Sequence, residues 1–255
     1  MLLSVENVSR RFDAIVALDD VSFQVRPGEV FGIIGPNGAG KSTLVNLISG
    51  VVSPTSGRIS FEGALISGRK PWDIAARGIS RTFQIVRLYQ ELDVLENMLL
   101  AQHLHRRPQP FANLFRTTAV RAEKRQMLER AEELLQQLGL TGYLSQRADS
   151  LSSAEQRRLQ VSMALATGAK LVMLDEPAAG LDGGEVEAFR ELILGLAGTQ
   201  GRTFVLIEHN VGLVMSMCDR VMVLNFGRKI AEGPPAAVRA NPEVVAAYLG
   251  SRAKP

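Results

Sequence analysis

The stretch Gly35-Pro36-Asn37-Gly38-Ala39-Gly40-Lys41-Ser42-Thr43 constrains this chain more than any other. It fits the pattern G-x-x-x-x-G-K-[ST] and follows the apolar run Val30-Phe31-Gly32-Ile33-Ile34. So apolar a run reads as a strand buried on both faces. The residues after the loop read as a helix from Lys41 to Ile48, stopped at Gly50. Between strand and helix, glycines let the backbone curl so that successive N–H groups point inward at phosphate oxygens. The helix N-terminus adds partial positive charge. Gly35 through Thr43 are therefore candidate phosphate-binding residues, with Lys41 reaching the β- and γ-phosphates and the Ser42 hydroxyl able to ligate Mg²⁺.

A second apolar run, Leu171-Val172-Met173-Leu174, ends in Asp175-Glu176-Pro177. In an open α/β sheet, ligands sit outside the carboxyl ends of the strands. Asp175 is thus carried to the same rim as the loop, where it can hold Mg²⁺ through water. Glu176 then faces the γ-phosphate and can polarise an attacking water.

The remaining pattern fits around these two strands. Leu3, Val5 and Val8, and then Ala17, Leu18, Val21, Phe23 and Val25, mark two early strands closed by the Pro27-Gly28 turn. A turn at Ser53–Gly57 precedes a strand at Arg58–Phe61. From about 93 to 168 the periodicity is helical: Leu128, Ala131, Leu134, Leu135 and Leu138 recur at three and four residues, and Gly139 ends that helix. Pro108 and Pro110 break the segment between two helices. A helix at about 184–197 and apolar strands at Phe204–Ile207 and Val221–Leu224 follow. Apolar strands alternating with helices predict a parallel sheet covered on both faces, with the helical middle as an inserted lobe.

Composition narrows the class further. At 255 residues the chain has room for one large α/β domain with a smaller lobe. Its single cysteine, Cys218, excludes an internal disulfide and a multi-cysteine metal site, and fits a reducing compartment. No apolar run approaches the roughly 18–20 residues needed to cross a bilayer. The N-terminus lacks a basic patch followed by an apolar stretch, so a cytoplasmic protein is expected. The net charge of +3 gives no argument for nucleic acid. Residues 101–130 are themselves basic, and read as a solvated helix face or as a surface near lipid head groups or an acidic partner. Cys218 and Trp72 read as structural.

Further residues narrow the kind of phosphate-loop protein. Leu151-Ser152-Ser153-Ala154-Glu155-Gln156 precedes Asp175 and opens a helical run, and it resembles the LSGGQ signature of ABC-type ATPases. Gln84, in Arg81-Thr82-Phe83-Gln84, resembles the Q-loop; Ala179-Gly180-Leu181-Asp182 resembles the D-loop. His209 resembles the switch histidine, and Phe12 takes the place of the aromatic that stacks on adenine. The motifs come in family order and span essentially the whole chain. Ile207-Glu208-His209-Asn210, Val223–Gly227 and the ending Asn241–Gly250 look like an ATPase subunit of branched-chain amino acid importers, though relatives with similar endings carry urea or other small solutes.

The resemblance implies an α/β fold: a phosphate-loop NTPase core with a mainly parallel sheet, an N-terminal antiparallel β subdomain and an inserted α-helical subdomain. It implies a core formed by 1–84 and 160–255, and a helical subdomain at 85–159 carrying the signature. It implies ATP and Mg²⁺ as ligands, with Ser42, Gln84 and Asp175 on the metal. Glu176 would orient the water, His209 would contact the γ-phosphate, Gln84 would sense it, and Ser152 and Asp182 would act across a dimer of ATPase subunits. The second subunit is the same or a related chain. Two transmembrane permease subunits are implied, an extracytoplasmic solute-binding protein indirectly, and a peripheral place on the cytoplasmic face of the inner membrane; nucleic acid is not. Ser153 and Ala154 stand where the signature has glycines, and a methyl at 154 adds bulk where backbone must approach phosphate. This leaves two outcomes open: the alanine is tolerated, or the site it completes hydrolyses slowly.

Rival readings are weaker. A GTPase or small-molecule kinase would be expected to show a guanine-reading N-K-x-D, which is missing. A DNA-repair ABC-type ATPase would usually carry a long coiled coil between loop and signature. A non-catalytic subunit is disfavoured by Lys41, Asp175, Glu176 and His209 together.

Overall fold

The structure, a computed structural model, describes residues 1–82, 88–103 and 118–251. Its strands are β1 (Leu3–Phe12), β2 (Ile15–Val25), β3 (Val30–Ile34), β4 (Ser56–Phe61), β5 (Ala64–Leu65), β6 (Ile79–Thr82), β7 (Leu171–Asp175), β8 (Thr203–Ile207), β9 (Arg220–Asn225) and β10 (Arg228–Gly233). Its helices are α1 (Lys41–Ile48), α2 (Pro71–Ala76), α3 (Val94–His103), α4 (Thr118–Gln137), α5 (Ser153–Ala166), α6 (Gly183–Gln200), α7 (Val211–Met217), α8 (Pro235–Arg239) and α9 (Pro242–Ser251).

Two sheets divide the strands. One is antiparallel, in the order β2-β1-β4-β5; the other runs β10-β9-β3-β8-β7-β6. In the second, β9, β3, β8, β7 and β6 are mutually parallel, and β10 pairs antiparallel on the β9 edge. The mainly parallel sheet and the antiparallel N-terminal sheet match the expected α/β class.

The central strands are apolar throughout because both of their faces are covered. Side chains alternate across a strand, so Phe31, Ile33, Met173, Val205 and Ile207 enter the core shared with the antiparallel sheet and α1. Val30, Ile34, Val172, Leu174, Phe204 and Leu206 enter the opposite core, under the helices. Gly32 permits one close approach there: a Cβ on it would lie 2.5 Å from Val214 Cγ1 and 3.0 Å from Cys218 Sγ on the α7 side.

In the middle of the chain, α3, α4 and α5 pack on one another, and α5 also reaches β6. Met127, Ala131, Leu134 and Leu135 form the buried seam of α4, with Leu138 buried just beyond its end; Leu128, expected in that seam, is only half-buried. The helix stops where Gly139 takes a left-handed φ of +69°. The expected division at 159/160 falls inside the continuous helix α5. Of the basic segment, Arg106, Arg107 and Arg116 lie outside the described residues, as do Pro108 and Pro110. Lys124, Arg125 and Arg130 are exposed, and Arg125 pairs with Glu129 at 3.0 Å in solvent.

The short elements β5, α2, α7 and α8 go beyond the sequence reading, as do two strands of the mainly parallel sheet, β6 and β10. Both are edge strands; β6 holds Ser80-Arg81 and β10 opens with Arg228-Lys229, so neither carries a continuous apolar run. The β4 strand starts two residues earlier than expected, at Ser56. Trp72 does not serve the core: it lies 67% exposed on α2, where Pro71 sets the helix start without needing its side chain. Cys218 is buried, and burial pushes its thiol pKa up. Among the described residues no helix is long and apolar enough to cross a membrane.

Candidate functional site

The parallel register brings three strand ends to one rim. Ile33 is level with Ile207, and Ile207 with Asp175. The chain leaves β3 through Gly35, β7 through Glu176 and β8 through Glu208. Backbone bonds tie these exits together: Glu176 N–H donates to Ile207 O at 2.8 Å, and Glu208 N–H to Ile33 O at 3.4 Å.

The 35–43 loop occupies the mouth of this rim. Gly40 takes φ +102° and caps α1 from its N-terminal side. A Cβ there would meet Ala17 O at 2.7 Å and Leu18 Cδ2 at 2.8 Å, so the loop end is wedged against β2. Gly227 N–H, in the β9–β10 turn, donates to Ala39 O at 3.0 Å and closes the other side. Gly38, at φ +79°, faces open space: a Cβ would meet nothing within 4 Å. Pro36 is half-buried, Asn37 and Ser42 are exposed, and Thr43 is half-buried. The result is a backbone cradle braced from behind and open in front, ahead of a helix N-terminus. Such an arrangement is suited to receive an anion.

Lys41 is the cation of the cradle. It is 8% exposed, and its ammonium donates to Gly35 O at 2.6 Å and Pro36 O at 3.0 Å. Burial lowers its pKa from the ordinary value, while Glu176 and Asp175 pull the other way. Its partners are carbonyl oxygens of the loop itself, which phosphate oxygens are well suited to replace.

Asp175 ends β7 and is buried; its Oδ2 accepts from Arg81 Nη2 at 2.8 Å. Glu176 follows with φ +49°, a left-handed backbone that a non-glycine residue adopts at a cost of about 1–3 kcal/mol. Its carboxylate lies 3.8 Å from His209 Nδ1, and the imidazole is 61% exposed. A strained, partly exposed carboxylate beside an accessible imidazole is an arrangement able to orient a water. Among the described residues no three His, Cys, Asp or Glu side chains form a metal-holding group. The donor set of Ser42 and Asp175 suits Mg²⁺, which usually takes one or two protein ligands and fills the rest with phosphate oxygens and water.

The other expected residues lie as follows. Phe12 ends β1 at 39% exposure, and the Arg10 guanidinium sits 4.3 Å from its ring centroid, so it is a surface aromatic and not core. Ser152 is exposed and caps α5 in a capping box: Glu155 N–H donates to its Oγ at 3.3 Å, and Ser152 N–H to Glu155 Oε2 at 2.7 Å. Asp182 does the same for α6, with Glu185 as its reciprocal partner. Gln84 lies outside the described residues. The structure therefore brings the loop, Asp175, Glu176 and His209 to one rim, and leaves Ser152 and Asp182 as exposed helix caps.

Three groups near the rim and the signature go beyond the sequence reading, besides Arg81 on β6. Glu208 is 1% exposed, and its carboxylate accepts from Ala178 N–H at 3.0 Å, His209 N–H at 3.2 Å and Asn210 N–H at 3.4 Å. It fixes the backbone beside His209 to the turn after Glu176. Arg157, on α5, is buried and reaches Ala179 O and Gln160 Oε1, both at 3.5 Å. Burial lowers its pKa, against Glu208 and Glu176. Glu155 stands at the fifth position of Leu151-Ser152-Ser153-Ala154-Glu155, where LSGGQ has glutamine, and that substitution was legible in the sequence.

Comparison with known proteins identifies the family. Residues 18–179 match the family described as ABC transporter, and residues 228–254 match that described as branched-chain amino acid ATP-binding cassette transporter. The chain is 40% identical over 249 residues to the high-affinity branched-chain amino acid transport ATP-binding protein BraF of Pseudomonas aeruginosa, covering 98% of each. It is equally similar to LivG of Escherichia coli K12, at the same identity and coverage. Among solved structures it resembles the ADP conformation of an ATP-binding cassette of an ABC transporter, with a TM-score of 0.84, 34% identity and 98% of each chain covered. A nucleotide-free ATP-binding cassette from an ABC transporter gives a TM-score of 0.83 at 35% identity, covering 97% of this chain and 98% of the other.

Proposed function

Since this chain belongs to the ABC transporter family of ATP-binding cassettes, we propose that it is the ATP-hydrolysing subunit of an importer of branched-chain amino acids. The observation that carries the reading is the convergence of the 35–43 cradle, Asp175, Glu176 and His209 on one rim of the parallel sheet. The match of the C-terminal 228–254 segment and the names of the relatives support the choice of solute.

In this reading the backbone N–H groups from Asn37 to Thr43 hold the phosphates, and Lys41 turns from the loop carbonyls to the β- and γ-oxygens. Phe12 stacks on the base. Ser42, Asp175 and Gln84 would hold Mg²⁺, which would supply neutralisation of the phosphate charge. Glu176 accepts a hydrogen bond from the attacking water and withdraws its proton. His209 contacts the γ-phosphate and helps place that water, with Glu208 fixing the backbone beneath it. Ser152 and Asp182 act across the interface with a second ATPase subunit, the same or a related chain. Loss of the γ-phosphate removes charge that held the pair, and the subunits part. The helical segment 85–159 passes that motion to two permease subunits, while a solute-binding protein delivers the amino acid outside. The chain then sits peripherally on the cytoplasmic face of the membrane.

The test is uptake. The chain, co-expressed with the permeases, second ATPase subunit and solute-binding protein of a branched-chain amino acid importer, should support ATP-dependent uptake of labelled leucine, and Lys41→Ala should abolish it. Uptake of urea with none of leucine would overturn the solute, and copurification of nucleic acid in place of permeases would overturn the transport role.

A further inference from the structure

Arg81 lies on β6, the edge strand of the parallel sheet, level with Met173 of β7. Its guanidinium is 13% exposed and reaches two other elements. Nη2 donates to Asp175 Oδ2 at 2.8 Å, and Nη1 donates to Asn46 Oδ1 at 2.6 Å. Asn46 belongs to α1, the helix that begins at Lys41 and Ser42. One planar group therefore links the strand leading to residues 83–87, the strand ending in Asp175, and the helix behind the phosphate cradle.

A lysine would not serve here. The guanidinium offers its donors in a fixed fork, whereas an ammonium is a point charge on a flexible stem. A buried ion pair is poor evidence of stabilisation in itself, since desolvation offsets much of the attraction. What the fork does provide is orientation. It engages Oδ2 of Asp175 from the β6 side and is itself steered by Asn46, so the carboxylate is aimed before any ligand arrives. Partners of this kind, one bond removed from a metal, typically change its affinity 10–100-fold.

We propose that Arg81 is a positioning residue for the divalent-metal site, setting the Asp175 carboxylate through its two-way hold on Asp175 and Asn46. The inference rests on the proposed metal role of Asp175 and adds the residue that sets it. Mn²⁺ serves as the probe, with free Mn²⁺ read by electron paramagnetic resonance in the presence of ADP. In Arg81→Gln, Mn²⁺ affinity should fall about tenfold or more, while ADP affinity measured in chelator stays at the wild-type value. Arg81→Lys, which keeps charge without the fork, should recover only part of that loss. Asn46→Ala, which leaves the ion pair in place and guards against misfolding of the Arg81 variants, should weaken Mn²⁺ by a smaller factor. Wild-type Mn²⁺ affinity in Arg81→Gln, or tighter binding once the positive charge is gone, would overturn the inference alone. A wild-type chain that binds ADP but no Mn²⁺ would overturn the metal reading beneath it.

Discussion

Gly40 and Gly38 stand two residues apart in the same loop, both with left-handed φ, and the structure assigns them different tolerances for a methyl group. An alanine in a left-handed conformation costs about 1–2 kcal/mol wherever it stands. At Gly38 that is the whole cost, because nothing lies within 4 Å of the added Cβ. At Gly40 the Cβ would lie 2.7 Å from a backbone oxygen of β2, which cannot rotate away, and 2.8 Å from Leu18 Cδ2. Such overpacking adds about 1–3 kcal/mol. Gly40→Ala should therefore cost about 2–5 kcal/mol and Gly38→Ala about 1–2 kcal/mol. Urea unfolding without nucleotide reads both, provided the transition is two-state and the slope is unchanged. Equal losses in the two variants would refute the claim that the rear of the cradle is braced while its front is open.

Other expectations follow from the same geometry. Glu208→Ala strands the half-buried Ala178 N–H and loosens the backbone at His209, so it should cost about 1–3 kcal/mol by thermal unfolding and lower the ATPase rate; Glu208→Gln, which keeps one acceptor, should lose less of both. Burial lowers the Lys41 pKa in the free protein, and bound phosphates favour the charged form. Nucleotide binding at alkaline pH should thus draw a proton from solvent, read by calorimetry in buffers of different ionisation enthalpy, and Lys41→Ala should abolish that uptake. The same lowering means that, between the folded and the ordinary lysine value, the unfolded chain binds more protons; stability from this group accordingly rises with pH across that window. Ala154→Gly should raise the ATPase rate of the assembled transporter, and an unchanged rate would show that the methyl is tolerated.

How much of this was legible in the sequence depended on the signal each element carried. The cradle and the Asp175-Glu176 pair were plain because an apolar strand, a glycine loop and a helix start leave periodic marks. The central strands β3, β7, β8 and β9 were equally clear. Strand β6 was not: it is short, lies at the sheet edge, and holds Ser80 and Arg81 where an apolar run would otherwise announce it. Missing β6 also hid Arg81, whose partners Asn46 and Asp175 are 35 and 94 residues away along the chain. Glu208 was obscured for the same reason. It sits beside the more conspicuous His209, and its importance comes from an N–H 30 residues upstream. The family resemblance implies a part for Ser152 and Asp182 in a dimer, while within one chain their geometry is that of helix caps.

The central claim, that a water is activated by Glu176 against a phosphate held in the 35–43 cradle, is tested most directly by Glu176→Gln. The amide keeps the size of the side chain and the strained turn but removes the base. ATP affinity should be retained and single-turnover hydrolysis should fall about 10²–10⁴-fold. Hydrolysis at the wild-type rate by that variant would contradict the account.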